Sequence, residues 1–96
     1  MSEVLRGYLE GAGLSERVGQ ADVVARWAEL VGPGIARHAN AELVTPDGVL
    51  FVRVKSAAWR QELSLMTPDL LARLNAGRTT GRIEQIRWVL SGGGAR

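Results

Sequence analysis

Residues 41–57 read AELVTPDGVLFVRVKSA, and this stretch decides the fold. Pro46-Asp47-Gly48 has the chemistry of a turn: proline presets one dihedral, aspartate bonds nearby backbone, and glycine takes a positive φ. On both sides of it the side chains follow a period of two, the period of a strand whose successive residues face opposite ways. Leu50, Val52 and Val54 point one way, and Val49, Phe51, Arg53 and Lys55 point the other. Ala41 to Thr45 is therefore a short strand, and Val49 to Lys55 is its return partner in a hairpin. The aliphatic set needs a cover, which the flanking sequence must supply.

Downstream, Ser56 is placed to cap a helix from Ala57 to about Met66, with Trp59, Leu63 and Met66 on a common face. Thr67-Pro68 supplies a second cap residue and a first-turn proline. Asp69 then lies near the positive end of the new helix dipole, and Leu70, Leu71 and Leu74 form its buried face. Asn75-Ala76-Gly77 ends that helix, and Gly77 to Arg82 reads as a polar, flexible connection. Ile83 to Leu90 is a last strand, with Ile86, Trp88 and Leu90 on one face and Gln85, Arg87 and Val89 on the other.

Upstream, Val23, Val24, Trp27, Leu30 and Val31 repeat at helical spacing, opposite Asp22, Arg26 and Glu29. Gly32-Pro33-Gly34 kinks this helix, and Ile35 to Ala39 continues it for one more turn. Val4, Leu5, Tyr8, Leu9 and Ala12 form the stripe of a short first helix ending at Gly13. The order helix, kinked helix, strand, strand, helix, helix, strand implies an α+β, two-layer sandwich: a three-stranded sheet with helices on one face. Residues 1–90 are expected to form a single domain, and 91–96 a flexible glycine-rich tail.

Composition narrows the function. Ninety-six residues suit one core, with 46% hydrophobic and 23% charged residues. The absence of cysteine excludes disulfides, thiolate catalysis and cysteine-based metal centres. No run approaches the ~20 apolar residues of a membrane helix, so a cytoplasmic location without membrane contact is expected. The ten carboxylates are scattered singly, and His38 is the one histidine, with no nucleophile oriented on it by any motif. Gly32-Pro33-Gly34 lacks the free amides and the Lys-Ser/Thr of a phosphate loop. The expectation is a protein that is not an enzyme, with no cofactor, metal or small-molecule substrate.

Net charge is +2, with arginine as eleven of the twelve cations and Lys55 as the other. Arginine's planar fork suits phosphate and carboxylate, although a lysine-poor, alanine- and glycine-rich chain also reflects a GC-rich genome. With Leu50, Val52 and Val54 under the helices, Phe51, Arg53 and Lys55 stand on the open face with Arg87 and Gln85. A ring among cations there is a candidate platform for single-stranded nucleic acid; the alternative is a solvated sheet face. Trp27 and Trp88 lie on inward stripes. Trp59, beside Arg60 and Gln61, either anchors its helix on the sheet or offers an aromatic edge to a partner protein.

Several segments together resemble the DciA family of bacterial replicative-helicase loaders. They are Trp27-Ala28-Glu29-Leu30-Val31-Gly32 with Ile35-Ala36-Arg37-His38, the run from Asp47 to Leu63 with its Ala58-Trp59-Arg60-Gln61-Glu62-Leu63 ending, Leu70 to Asn75, and Ile83 to Arg87. The resemblance covers about residues 20–90. It implies a fold similar to the type II KH domain and a non-ATPase adaptor that binds the replicative helicase and promotes its loading on single-stranded DNA. The residues expected to meet the partner or nucleic acid are Phe51, Arg53, Lys55, Trp59, Arg60 and Arg87. Two features depart from the pattern. Leu65-Met66-Thr67-Pro68 stands where nucleic-acid-binding KH domains carry Gly-x-x-Gly, which puts ordinary KH clamping in doubt. Many members also carry a disordered, often basic extension, in place of which Ser91 to Arg96 is read here as a short tail. The alternatives are a KH-like RNA-binding protein and a purely protein–protein interaction domain.

Overall fold

The computed structural model describes residues 14–90; the helix expected around Val4 to Ala12 and the tail from Ser91 lie outside the described residues. The elements are α1 (Leu14–Ala25), α2 (Trp27–Val31), α3 (Pro33–Ala36), β1 (Ala39–Val44), β2 (Val49–Val54), α4 (Ala57–Leu65), α5 (Thr67–Asn75) and β3 (Gln85–Leu90). The sheet has the order β1-β2-β3, antiparallel between β1 and β2 and parallel between β2 and β3. The fold is α+β, and its element order matches a KH-like arrangement.

The two-residue rhythm of β2 governs the packing. Leu50, Val52 and Val54 are fully buried, whereas Phe51 is half-buried and Arg53 and Lys55 are exposed. The helices cover the aliphatic face with Val23, Trp27, Val31, Leu63, Leu70 and Leu74. Two indoles tie the layers. Trp27 Nε1 donates to the Ala39 carbonyl at 2.8 Å, and Trp88 Nε1 donates to Thr67 Oγ1 at 3.0 Å. Their rings meet edge-on, with centroids 6.4 Å apart.

Local chemistry mostly follows the sequence. Ser56 Oγ accepts from the Trp59 N–H at 3.2 Å and so caps α4. Thr45 closes the hairpin, its Oγ1 donating to Asp47 at 2.6 Å and accepting from the Val49 N–H at 3.0 Å. Four expectations shift. The helix breaks at Arg26 as well as at Gly32, and its final turn closes at Ala36, because Ala39 already pairs with Val54. Lys55 and Ile83 flank the strands rather than extend them. Thr67 does not cap α5. Its hydroxyl turns back to the Leu63 and Ser64 carbonyls, at 3.3 and 2.8 Å, while accepting the Trp88 indole.

The fourth shift concerns the connection from Gly77 to Arg82, which is pinned rather than loose. Arg78 donates to the carbonyls of Leu74 and Gly19 and to the Asp22 carboxylate, and its side chain is 12% exposed. The Gly81 N–H donates to Glu16 at 2.9 Å. Asn75 brackets Ile83 with two hydrogen bonds, receiving its N–H at 2.7 Å and donating to its carbonyl at 2.9 Å. Gly19 in α1 and Gly81 in the connection cross backbone to backbone: a Cβ on Gly81 would lie 2.4 Å from the Gly19 carbonyl carbon. Gly81 also holds φ +68.

Gly81→Ala is expected to destabilise the fold by about 2 kcal/mol or more, from backbone overpacking added to a left-handed conformation. Gly77→Ala shares the φ of +68, but its Cβ meets nothing within 4 Å. It should cost only about 1 kcal/mol. Urea denaturation of the two variants checks this ordering. The Arg78 guanidinium, assisted by Arg26, holds the Asp22 carboxyl below its ordinary value of 3.8. The folded state therefore favours charged Asp22. That contribution is complete above 3.8 and is lost as pH falls through the lowered folded value. Asp22→Asn should flatten the acid side of the stability–pH curve below 3.8 and leave its neutral slope unchanged.

Candidate functional site

The open face of the sheet is shaped by one irregularity. The β1–β2 register shifts between Ala41 and Leu43. With the extra residue, Glu42 and Leu43 are both exposed while Ala39 and Val44 stay buried. Such a bulge re-aims side chains that simple alternation would send to opposite faces. Leu43 is thereby set opposite Phe51, and the Glu42 carboxylate reaches Arg53, at 3.2 Å from Nε and 3.4 Å from Nη2.

Phe51 and Arg53 stand on the open face, as alternation predicts, in altered company. Leu43, Phe51 and Val89 line a shallow apolar depression of about 280 Å³, with Glu42 and Arg53 at its margin. Leu43 is 52% exposed and Val89 43%. The Glu42–Arg53 pair is itself exposed, so its strength is modest, about 0–1 kcal/mol. Its effect is to spend the arginine's charge locally. The patch is therefore an apolar anchor point more than a cationic stacking platform.

Arg87 is exposed and is the register partner of Phe51, as alternation predicts, and it also meets Arg60 at the edge of the sheet. Both line a groove of about 600 Å³ between α4 and β3, with Ala57, Gln61, Ser64 and Gln85 among its other walls. Lys55, Arg60 and Arg87 form no ion pair among the described residues. Trp59 lies apart from both surfaces. Its half-buried ring stacks on His38, with centroids 4.3 Å apart and planes at 14°, and packs against the margin of the core. It thus anchors α4 to the loop before β1 while keeping part of its surface exposed.

Alternation places Val89 on the outer face of the last strand, but Glu42 and Leu43 were missed as neighbours of Phe51. The bulge lies between Ala41 and Leu43, where regular alternation would send Glu42 and Leu43 to opposite faces, and no local pattern in the sequence marks it. Gln85 is placed on the strand face with Arg87 by alternation, but its meeting with Gln61 and Ser64 carried no signal, because only the packing of α4 beside β3 assembles them. Among the described residues no cluster of three or more His, Asp or Glu could hold a metal, and no helix is long and apolar enough to cross a membrane.

Removing the stacked imidazole should be felt at one indole only. With fluorotryptophan incorporated throughout, His38→Ala is expected to move the fluorine NMR resonance of Trp59 and leave those of Trp27 and Trp88 in place. Trp27→Ala, which empties a site 4% exposed, should cost about 3–5 kcal/mol in urea unfolding, more than Trp59→Ala.

Comparison with known proteins supplies the remaining finding. The family model described as Dna[CI] antecedent, DciA, matches residues 1–88. A UPF0232 protein of Rhodococcus jostii (strain RHA1) is 35% identical over 75 residues, which cover 78% of this chain and 39% of that protein. A UPF0232 protein of Streptomyces coelicolor is 42% identical over 66 residues, 68% of this chain and 35% of the relative. One from Mycolicibacterium smegmatis is 32% identical over 89 residues, 93% and 45% respectively. The chain spans less than half the length of these relatives.

Proposed function

This chain belongs to the DciA family, whose role is broadly associated with helicase loading, and we propose that it is a cytoplasmic, non-enzymatic adaptor that binds the replicative DNA helicase. In this reading it promotes helicase loading on single-stranded DNA when bacterial replication starts. The family match over residues 1–88 carries the reading, since it takes in the helical cover and the sheet up to Trp88 in β3. A loader without a nucleotide site must work through binding energy alone. It favours whichever state of the helicase ring it binds more tightly, here one open to DNA.

The apolar depression around Phe51 suits the helicase contact. Phe51 offers a ring already half-held by the sheet, so little side-chain entropy is lost on docking. Leu43 and Val89 widen the patch and Arg53 borders it, while Lys55 and Trp59 are candidates for charge and ring contacts away from it. Of the candidate cations, Lys55, Arg60 and Arg87 form no ion pair among the described residues and are open to an anionic partner. An RNA-clamping KH reading has less support. The α4–α5 junction, Leu65-Met66-Thr67-Pro68, has no glycine, and the Thr67 hydroxyl is already bonded to two carbonyls and an indole.

Affinity capture with purified hexameric helicase tests the proposal. The wild-type chain should retain the helicase and raise the amount loaded on circular single-stranded DNA. Phe51→Ser should reduce retention about tenfold or more while preserving the amide spectrum of the helical layer. Wild-type chain that neither retains the helicase nor alters its loading would overturn the reading.

A further inference from the structure

We infer that the groove between α4 and the free edge of β3 docks an extended acidic segment of a partner protein, added to the sheet as a fourth strand with its carboxylates on Arg60 and Arg87. The sheet has two outer edges, and they differ. That of β1 is interrupted by the register shift at Glu42, a device that blunts an edge against further pairing. That of β3 belongs to a strand in unbroken register with β2 from Gln85 to Leu90, and no described strand lies beyond it. Such an edge presents alternating N–H donors and C=O acceptors.

Charge selects the occupant. Arg60 from the helix wall and Arg87 from the strand both line the groove, and no acidic residue does. The depression around Phe51 and the pocket beside α1 both include Glu42. A groove of about 600 Å³ has room for several residues of extended chain alongside β3. A second copy pairing edge to edge through β3 would bring like-charged arginines together, which opposes self-association by this route. Single-stranded nucleic acid fits less well. A phosphodiester backbone accepts hydrogen bonds but donates none, leaving the β3 carbonyls unpaired, and the groove's one aromatic ring, Trp88, is half-buried with its N–H engaged by Thr67. A peptide backbone satisfies both donors and acceptors, in the manner of β-strand addition.

This inference goes beyond the helicase reading and is tested without the helicase. The isotopically labelled full chain is titrated with a capped synthetic peptide of about seven residues alternating valine with aspartate, long enough to span β3. Parallel titrations use its valine–lysine counterpart, the same acidic peptide N-methylated at alternate backbone nitrogens, and oligothymidylate. The acidic peptide should shift the amide resonances of Gln85 to Leu90 saturably, and the N-methylated form should not. The double variant Arg60→Glu/Arg87→Glu should weaken acidic-peptide binding about tenfold or more and acquire binding of the lysine peptide. Absence of β3 shifts at millimolar acidic peptide would overturn the proposal. So would equal binding of the N-methylated form, which would mean charge without strand pairing. Tighter competition by oligothymidylate for the same amides would reassign the groove to nucleic acid.

Discussion

Everything in this molecule leans on β2. It is the central strand, hydrogen-bonded to a neighbour on each side, and its inward residues Leu50, Val52 and Val54 are fully buried. A strand so placed has no freedom of register, because a slip by one residue would bury Arg53 and expose Val52. The helices gather on the aliphatic side, and the opposite side is left for Phe51 and its neighbours. Both surfaces available to a partner are defined by this division, one as the uncovered face of the strand and the other as the margin where the helical cover meets the sheet's edge.

The character of the uncovered face depends on a single residue more in β1 than in the part of β2 it faces. The bulge sets Leu43 opposite Phe51 and brings Glu42 to Arg53, so the face carries an apolar patch bordered by a closed ion pair, with Arg87 on the other side of Phe51. Of the candidate cations, Lys55, Arg60 and Arg87 form no ion pair among the described residues, and the last two line the α4–β3 groove. Two chemically distinct surfaces therefore coexist on a small domain: one suited to apolar anchoring, the other to anions. An adaptor that must hold one partner while engaging another has use for such a separation.

The β3 strand reaches its place through a connection that looks unstructured in composition. Arg78 bridges α1 and the end of α5, Asn75 grips Ile83, and Gly19 and Gly81 allow two backbones to touch. These restraints fix the approach of β3, which pairs parallel to β2. Without them the parallel pairing, which must be closed through a crossover, would carry an uncompensated loop entropy.

The sequence by itself determined the element order from the kinked helix onward, the hairpin, the Ser56 cap, the inward face of β2 and the family. Each of these rests on short-range rules: a two-residue period, a turn tripeptide, a capping hydroxyl, a motif of fixed spacing. Ile86 and Trp88 were legible for the same reason. Tertiary structure alone decided that Glu42 neutralises Arg53, that Thr67 serves Trp88 rather than its own helix, that Trp59 stacks on His38, and that Arg60 faces the same groove as Arg87. These partners lie up to 27 residues apart in the chain, as Arg60 and Arg87 do. Their meeting depends on a bulge and on how helices settle beside a strand. Hydrogen-bond donors and charges choose among partners only after packing has brought them within reach, and no local period in the chain encodes that choice.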